Sequence, residues 1–93
     1  MAMDLDHYVL WGQYCENALE KRAPFREKHL NRLASLKTQG KLITLGPTKC
    51  NSYVFGVFCE KSLDMVNNLI KEDIYWRKGI WTKFKVYPWI QAF

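Results

Sequence analysis

Apolar and polar positions alternate along four stretches of the chain, at about 6–14, 41–46, 52–59 and 80–89, each bounded by turn residues. Side chains on a strand point to opposite faces in turn, so this alternation predicts four strands. The two long gaps between them carry helical spacing instead. The first predicted helix begins near Pro24, suited to a first turn, and runs through FREKHLNRLASLKTQ to Gly40, suited to the position after a helix end. The second begins with Ser62 as N-cap and continues through Leu63, Val66, Leu69 and Ile70. The order is β-α-β-β-α-β. With right-handed crossovers it predicts an α+β, ferredoxin-like fold: an antiparallel sheet with both helices on one face.

Reading the strands by face gives a sheet with large apolar groups on both sides. In the last strand Ile80, Thr82, Phe84 and Val86 oppose Trp81, Lys83, Lys85, Tyr87 and Trp89. In the first, Tyr8, Leu10 and Tyr14 oppose Val9 and Trp11; in the third, Tyr53, Phe55 and Val57 oppose Val54 and Phe58. Two helices cover one face only, so the second needs another cover. A homodimer burying Trp11, Phe58, Trp81 or Trp89 against the partner is the expectation.

Length and composition narrow the picture without changing it. The 93 residues suit one domain, 1–93, and so short a chain gains much from a partner subunit. No apolar run reaches the ~18 residues of a membrane span, and the acidic opening MAMDLDHYVL does not read as a secretory signal. Cys15, Cys50 and Cys59 form no C-x-x-C pair and suggest neither a disulfide framework nor a zinc site, in keeping with a reducing, cytoplasmic setting. The formal charge of +5 is scattered rather than blocked, which favours solvated faces over a nucleic-acid arm.

Candidate chemistry lies on the first helix. At 100° per residue Arg26, His29, Leu33 and Leu36 share one side, with Phe25 and Leu30 at its margins. Arg and His therefore stand where leucine would pack. An overhanging, solvated helix end accounts for this equally well. Asp73, in the connection into the last strand, can approach the polar half of that stripe and form with His29 a proton-transfer pair. Arg26, one turn away, would hold an anionic substrate or a developing oxyanion. In EDIYWRKGIW, Tyr75, Trp76 and Trp81 would wall Asp73; Tyr75 is the ligand candidate, and Trp81 reads as dimer-interface core.

The segments YVLWGQY, ALEKRAPFREKHLNRL, GKLITLGPT and EDIYWRKGIWTKFKVYPW together resemble the YciI-like (YCII-related) family across nearly the whole chain. The resemblance implies a dimeric α+β barrel made of two ferredoxin-like sheets packed face to face, with a cleft containing His29 and Asp73. It implies further that Gly46, Pro47 and Ser52 line this cleft. Ile74 stands where the family usually has proline, and Asn51 where it has glycine. Ile lacks proline's fixed φ, whereas Asn tolerates a left-handed backbone.

The function these readings converge on is cofactor-independent His/Asp acid–base chemistry, of lyase or isomerase type, on a small organic molecule that is anionic or aromatic. A metal triad of His7, His29 and Asp73 has no supporting spacing. A non-catalytic small-molecule-binding or interaction module is the alternative. RNA binding is a third reading, because Tyr53, Phe55 and Phe58 sit at the aromatic offsets of an RRM strand. Asn51 and Ser52 occupy the positions of its cation and glycine, which weighs against it.

Overall fold

The computed structural model describes residues 5–93. Strands β1 (Asp6–Tyr14), β2 (Leu42–Pro47), β3 (Tyr53–Glu60) and β4 (Trp81–Trp89) form one antiparallel sheet in the order β2-β3-β1-β4. Helices α1 (Ala18–Arg22) and α2 (Arg26–Thr38) lie between β1 and β2, joined by a 3-10 turn at Ala23–Phe25 that holds Pro24. Between β3 and β4 come α3 (Leu63–Lys71) and α4 (Ile74–Arg77). The β-α-β-β-α-β plan is the ferredoxin-like one. The short α1 and α4 are additions to it, of five and four residues, too brief to show a helical period in sequence.

Caps set the ends of these helices. Gly40 adopts φ 78°, and its N–H and that of Lys41 donate to the carbonyls of Lys37 and Leu36, closing α2 with a Schellman motif. Gly79, at φ 72°, closes α4 in the same way, with its N–H and that of Ile80 donating to Trp76 and Tyr75. The Ser62 hydroxyl accepts from the Met65 N–H at the start of α3.

The core lies between sheet and helices. Tyr8 and Leu10 of β1 and Val54 and Phe58 of β3 pack against Leu36, Val66 and Ile70. Phe58 is therefore monomer core and not part of an intersubunit face. The same correction applies to Trp81. A bulge places Gln13 opposite Lys83 but Tyr14 opposite Trp81, leaving Thr82 as the extra residue. Simple alternation from Lys83 would send Trp81 to the open face; the bulge turns it inward, and Ile80 and Trp81 are both buried. Of the residues expected on the second face Trp11 and Trp89 are exposed, with Tyr87 beside them; on β3 the exposed residues are Tyr53 and Phe55, which oppose the buried Val54 and Phe58, so that strand faces the other way from the expectation. Trp11 and Tyr53 stack there, with centroids 5.2 Å apart.

Among the described residues no helix is long and apolar enough to cross a membrane.

Candidate active site

The first turns of α2 and the whole of α4 meet over one end of the sheet. Asp73 is the N-cap of α4: its Oδ1 accepts from the Tyr75 backbone N–H at 2.9 Å. This cap fixes the carboxylate without help from a proline at position 74. The same oxygen lies 2.7 Å from His29 Nδ1, and Arg32 Nη1 donates to Oδ2 at 3.1 Å. An ionised carboxylate only accepts, so the proton between His29 and Asp73 belongs to Nδ1, and Nε2 is left as the free ring nitrogen. Arg32 is itself anchored by a 2.8 Å bond to the Leu69 carbonyl.

Apolar packing makes this polar group rigid. His29 and Asp73 are 3% and 1% exposed. The imidazole lies on the Tyr75 ring with centroids 3.6 Å apart and planes 8° apart, and Trp81 meets both rings edge-on at 5.3 and 5.6 Å. Burial pushes the Tyr75 phenol above its usual range, and the Arg22 and Arg26 charges pull it back in part. The Trp81 indole N–H is buried without a partner among the described residues. Buried donors in folded proteins are nearly always paired, so this one marks a site with a cost.

A cleft of about 70 Å³ opens beside His29. It is lined by Tyr14, Arg22, Arg26, Tyr75, Gly46 and Pro47 among others. Five of the residues expected at the site, Arg26, His29, Gly46, Pro47 and Tyr75, thus share one cleft, with Asp73 bonded behind His29. Ser52 is elsewhere: it borders a second cleft with Cys50, Asn51 and Cys15, and Tyr14 is common to both. His7 is at the far end of β1, edge-on to Trp89, and has no part in the arrangement.

Arg26 is exposed on the cleft wall, and the guanidinium that reaches Asp73 is that of Arg32. Sequence reasoning passed over Arg32 because it falls 60° off the His29 side of the helix, beyond a leucine-filled stripe. Its spacing of one turn after His29 was the available signal. Arg22, on α1, was unreadable without that helix. Neither Arg22 nor Arg26 makes an ion pair among the described residues. Asn51, at φ 59°, holds the left-handed conformation that makes asparagine an acceptable replacement for glycine.

Comparison with known proteins extends these observations. A model of the YCII-related domain matches residues 7–90. An uncharacterized protein of Haemophilus influenzae is 29% identical over 99 positions, covering 94% of this chain and 99% of its own length. Among solved structures, the chain resembles 5-chloro-2-hydroxyhydroquinone dehydrochlorinase (TftG) from Burkholderia phenoliruptrix AC1100, determined in complex with 2,5-dihydroxybenzoquinone. The TM-score is 0.79 at 20% identity, over 92% of this chain and 95% of that one. A NIPSNAP family protein from Agrobacterium tumefaciens is more distant, with TM-score 0.58 and 15% identity over 95% and 93% of the two chains. At these identities the structural likenesses show a shared fold.

Proposed function

The chain belongs to the YCII-related family, and we propose that within it the protein is a cofactor-independent enzyme of lyase or isomerase type. Its His29–Asp73 pair would do acid–base chemistry on a small organic molecule. The observation that carries this reading is the 2.7 Å contact between His29 Nδ1 and Asp73 Oδ1, which leaves Nε2 as the only free nitrogen of an imidazole bordering a cleft. In an elimination, Nε2 takes a proton from a substrate atom. The electron pair left behind becomes the new double bond, and the leaving group departs with its bonding pair. Asp73 stabilises the imidazolium until the proton passes to water. Arg32 is a positioning residue, since it acts through Asp73. The unpaired Arg22 and Arg26 would hold an anionic substrate, and Tyr75 its apolar part.

The dehydrochlorinase name of the structurally similar TftG supports the elimination class. Chloride release from chlorinated hydroxyhydroquinones, with His29→Leu as blank, tests it. Release by the wild type alone is the expected result; equal release by both proteins would end this reading.

The protein would work as a cytoplasmic homodimer. The open sheet face, with Trp11, Phe55, Tyr87 and Trp89 exposed, supports a second copy as its cover, and three free thiols suit a reducing compartment. A non-catalytic interaction module is the second reading, favoured by one observation. His29 is almost closed off, and a cleft of about 70 Å³ is too small for a substituted ring unless its walls move.

A further inference from the structure

We propose that the Tyr75 hydroxyl is a second catalytic group of the His29 site, donating to a substrate oxygen that gains negative charge as Nε2 takes a proton. The substrate class that follows is a small compound with an acidic C–H beside a carbonyl. This inference rests on the acid–base reading of His29 and gives Tyr75 a role beyond apolar packing. Its ring is closed off at 1% exposure, yet its hydroxyl is not among the side-chain polar atoms sealed without a partner, which are Glu60 Oε2 and Trp81 Nε1. Nor does that hydroxyl make a hydrogen bond among the described residues. The phenol oxygen therefore ends, unpaired, on the cleft that Tyr75 lines with His29.

A donor that does not have to reorganise is what stabilises a developing oxyanion. Tyr75 is held by its stack on His29, by the edge of Trp81 and by the Asp73 cap on its own N–H. Tyr14 lines the same cleft, but it is only half-buried and no ring packs on it among the described residues. Burial raises the Tyr75 pKa, so the phenol keeps its proton at neutral pH and is a donor; Arg22 and Arg26, whose charges it feels, supply the net positive charge that a neutral phenol lacks. A molecule held in about 70 Å³ is within reach of both Tyr75 and His29. Nε2 takes the proton from the carbon beside the carbonyl. The C–H pair becomes a carbon–carbon double bond, and the carbonyl π pair moves to oxygen, where the Tyr75 O–H donates to it. When the carbonyl re-forms, a leaving group on the next carbon departs with its bonding pair. In a β,γ-unsaturated compound the imidazolium instead returns its proton at the γ carbon, which is an isomerisation.

Acetate, planar and anionic like an enolate, is the probe, followed by NMR in the intact protein with tyrosine isotope-labelled at the hydroxyl-bearing ring carbon. It should bind saturably and shift the Tyr75 signal, which is identified by its loss in Tyr75→Phe. Tyr75→Phe keeps the stack, so it should melt like the wild type while binding acetate about tenfold more weakly. Tyr14→Phe should bind within about twofold of the wild type. The proposal fails if acetate does not bind, if Tyr75→Phe binds it as tightly as the wild type, or if the Tyr75 signal stays in place at saturation. It fails also if Tyr14→Phe carries the loss instead. Acetate has no proton that His29 can remove. Loss of binding in Tyr75→Phe, beside a wild type that turns nothing over, would thus sustain the donor and fall on the acid–base reading alone.

Discussion

His29 and Tyr75 lie face to face, their ring centroids 3.6 Å apart and their planes within 8° of parallel. One face of the imidazole is thereby covered, while Nδ1 is committed to Asp73. Ring orientation is set by both contacts, so the position of Nε2 is set as well. Tyr75→Phe retains the stack and should change stability by less than about 1 kcal/mol, whereas Tyr75→Ala should cost about 3–5 kcal/mol in urea unfolding. Similar losses for the two variants would show that the phenol hydroxyl, not the ring, is what matters.

Asp73 ties three donors together, from His29, Arg32 and the Tyr75 backbone. Asp73→Ala removes their acceptor and the α4 cap, and should destabilise by about 3–5 kcal/mol. Asp73→Asn keeps an oxygen for the cap and should cost about 1–3 kcal/mol. Thermal or denaturant melts that rank the two variants the other way would mean that the buried amide of Asp73→Asn, with an NH2 group set against the His29 and Arg32 donors, costs more than the lost acceptor.

Trp81 and Trp11 should respond in opposite ways. Trp81 is 2% exposed and buried in the monomer, so Trp81→Ala should cost about 3–5 kcal/mol whatever the oligomeric state. Trp11 lies on the open face at 43% exposure, so Trp11→Lys should leave a folded chain that sediments as a monomer. A wild type already monomeric at micromolar concentration would remove the dimer from the account.

The four strands and both main helices were legible because each is long enough to show its period. Trp81 was not, because one extra residue, Thr82, inverts the alternation that the rest of β4 obeys. A bulge has no compositional mark here. The meeting of His29 with Asp73 was suggested by a histidine in a leucine stripe, yet Arg32 was missed because its side chain crosses from the margin of α2 to reach the carboxylate. Periodicity reports the direction of Cβ, and a guanidinium several bonds further on is free to ignore it. Helix α4 escaped notice for its length, although its signals, Asp73 before it and Gly79 after it, stand in the sequence.

Cys50 is a fully exposed thiol held down from 9.0 to about 7 by hydrogen bonds from the Thr48 side chain first and then from Ser52. Its Sγ is 3.2 Å from Thr48 Oγ1. Since the thiolate is the reactive form, the iodoacetamide rate at Cys50 should rise through a midpoint near pH 7. Lowering the pH through that midpoint protonates the sulfur and slows the reaction. In Thr48→Val the midpoint should move upward; an unmoved midpoint would assign the shift to Ser52 alone.

Whether His29 and Asp73 do chemistry is tested by an unbiased metabolite-turnover screen. Wild type, His29→Leu and Asp73→Asn are each incubated with the same small-molecule extract, and substrate loss and product gain are followed by mass spectrometry. His29→Leu keeps the Arg32–Asp73 pair and replaces a polar ring by an apolar side chain, so it should melt within about 1 kcal/mol of the wild type or above it. At least one compound should be consumed by the wild type, left untouched by His29→Leu and consumed more slowly by Asp73→Asn. Unchanged turnover in a folded His29→Leu would contradict it. So would strong destabilisation by both changes with ligand binding unaltered, since the pair would then be a structural hydrogen bond and the protein a binding module.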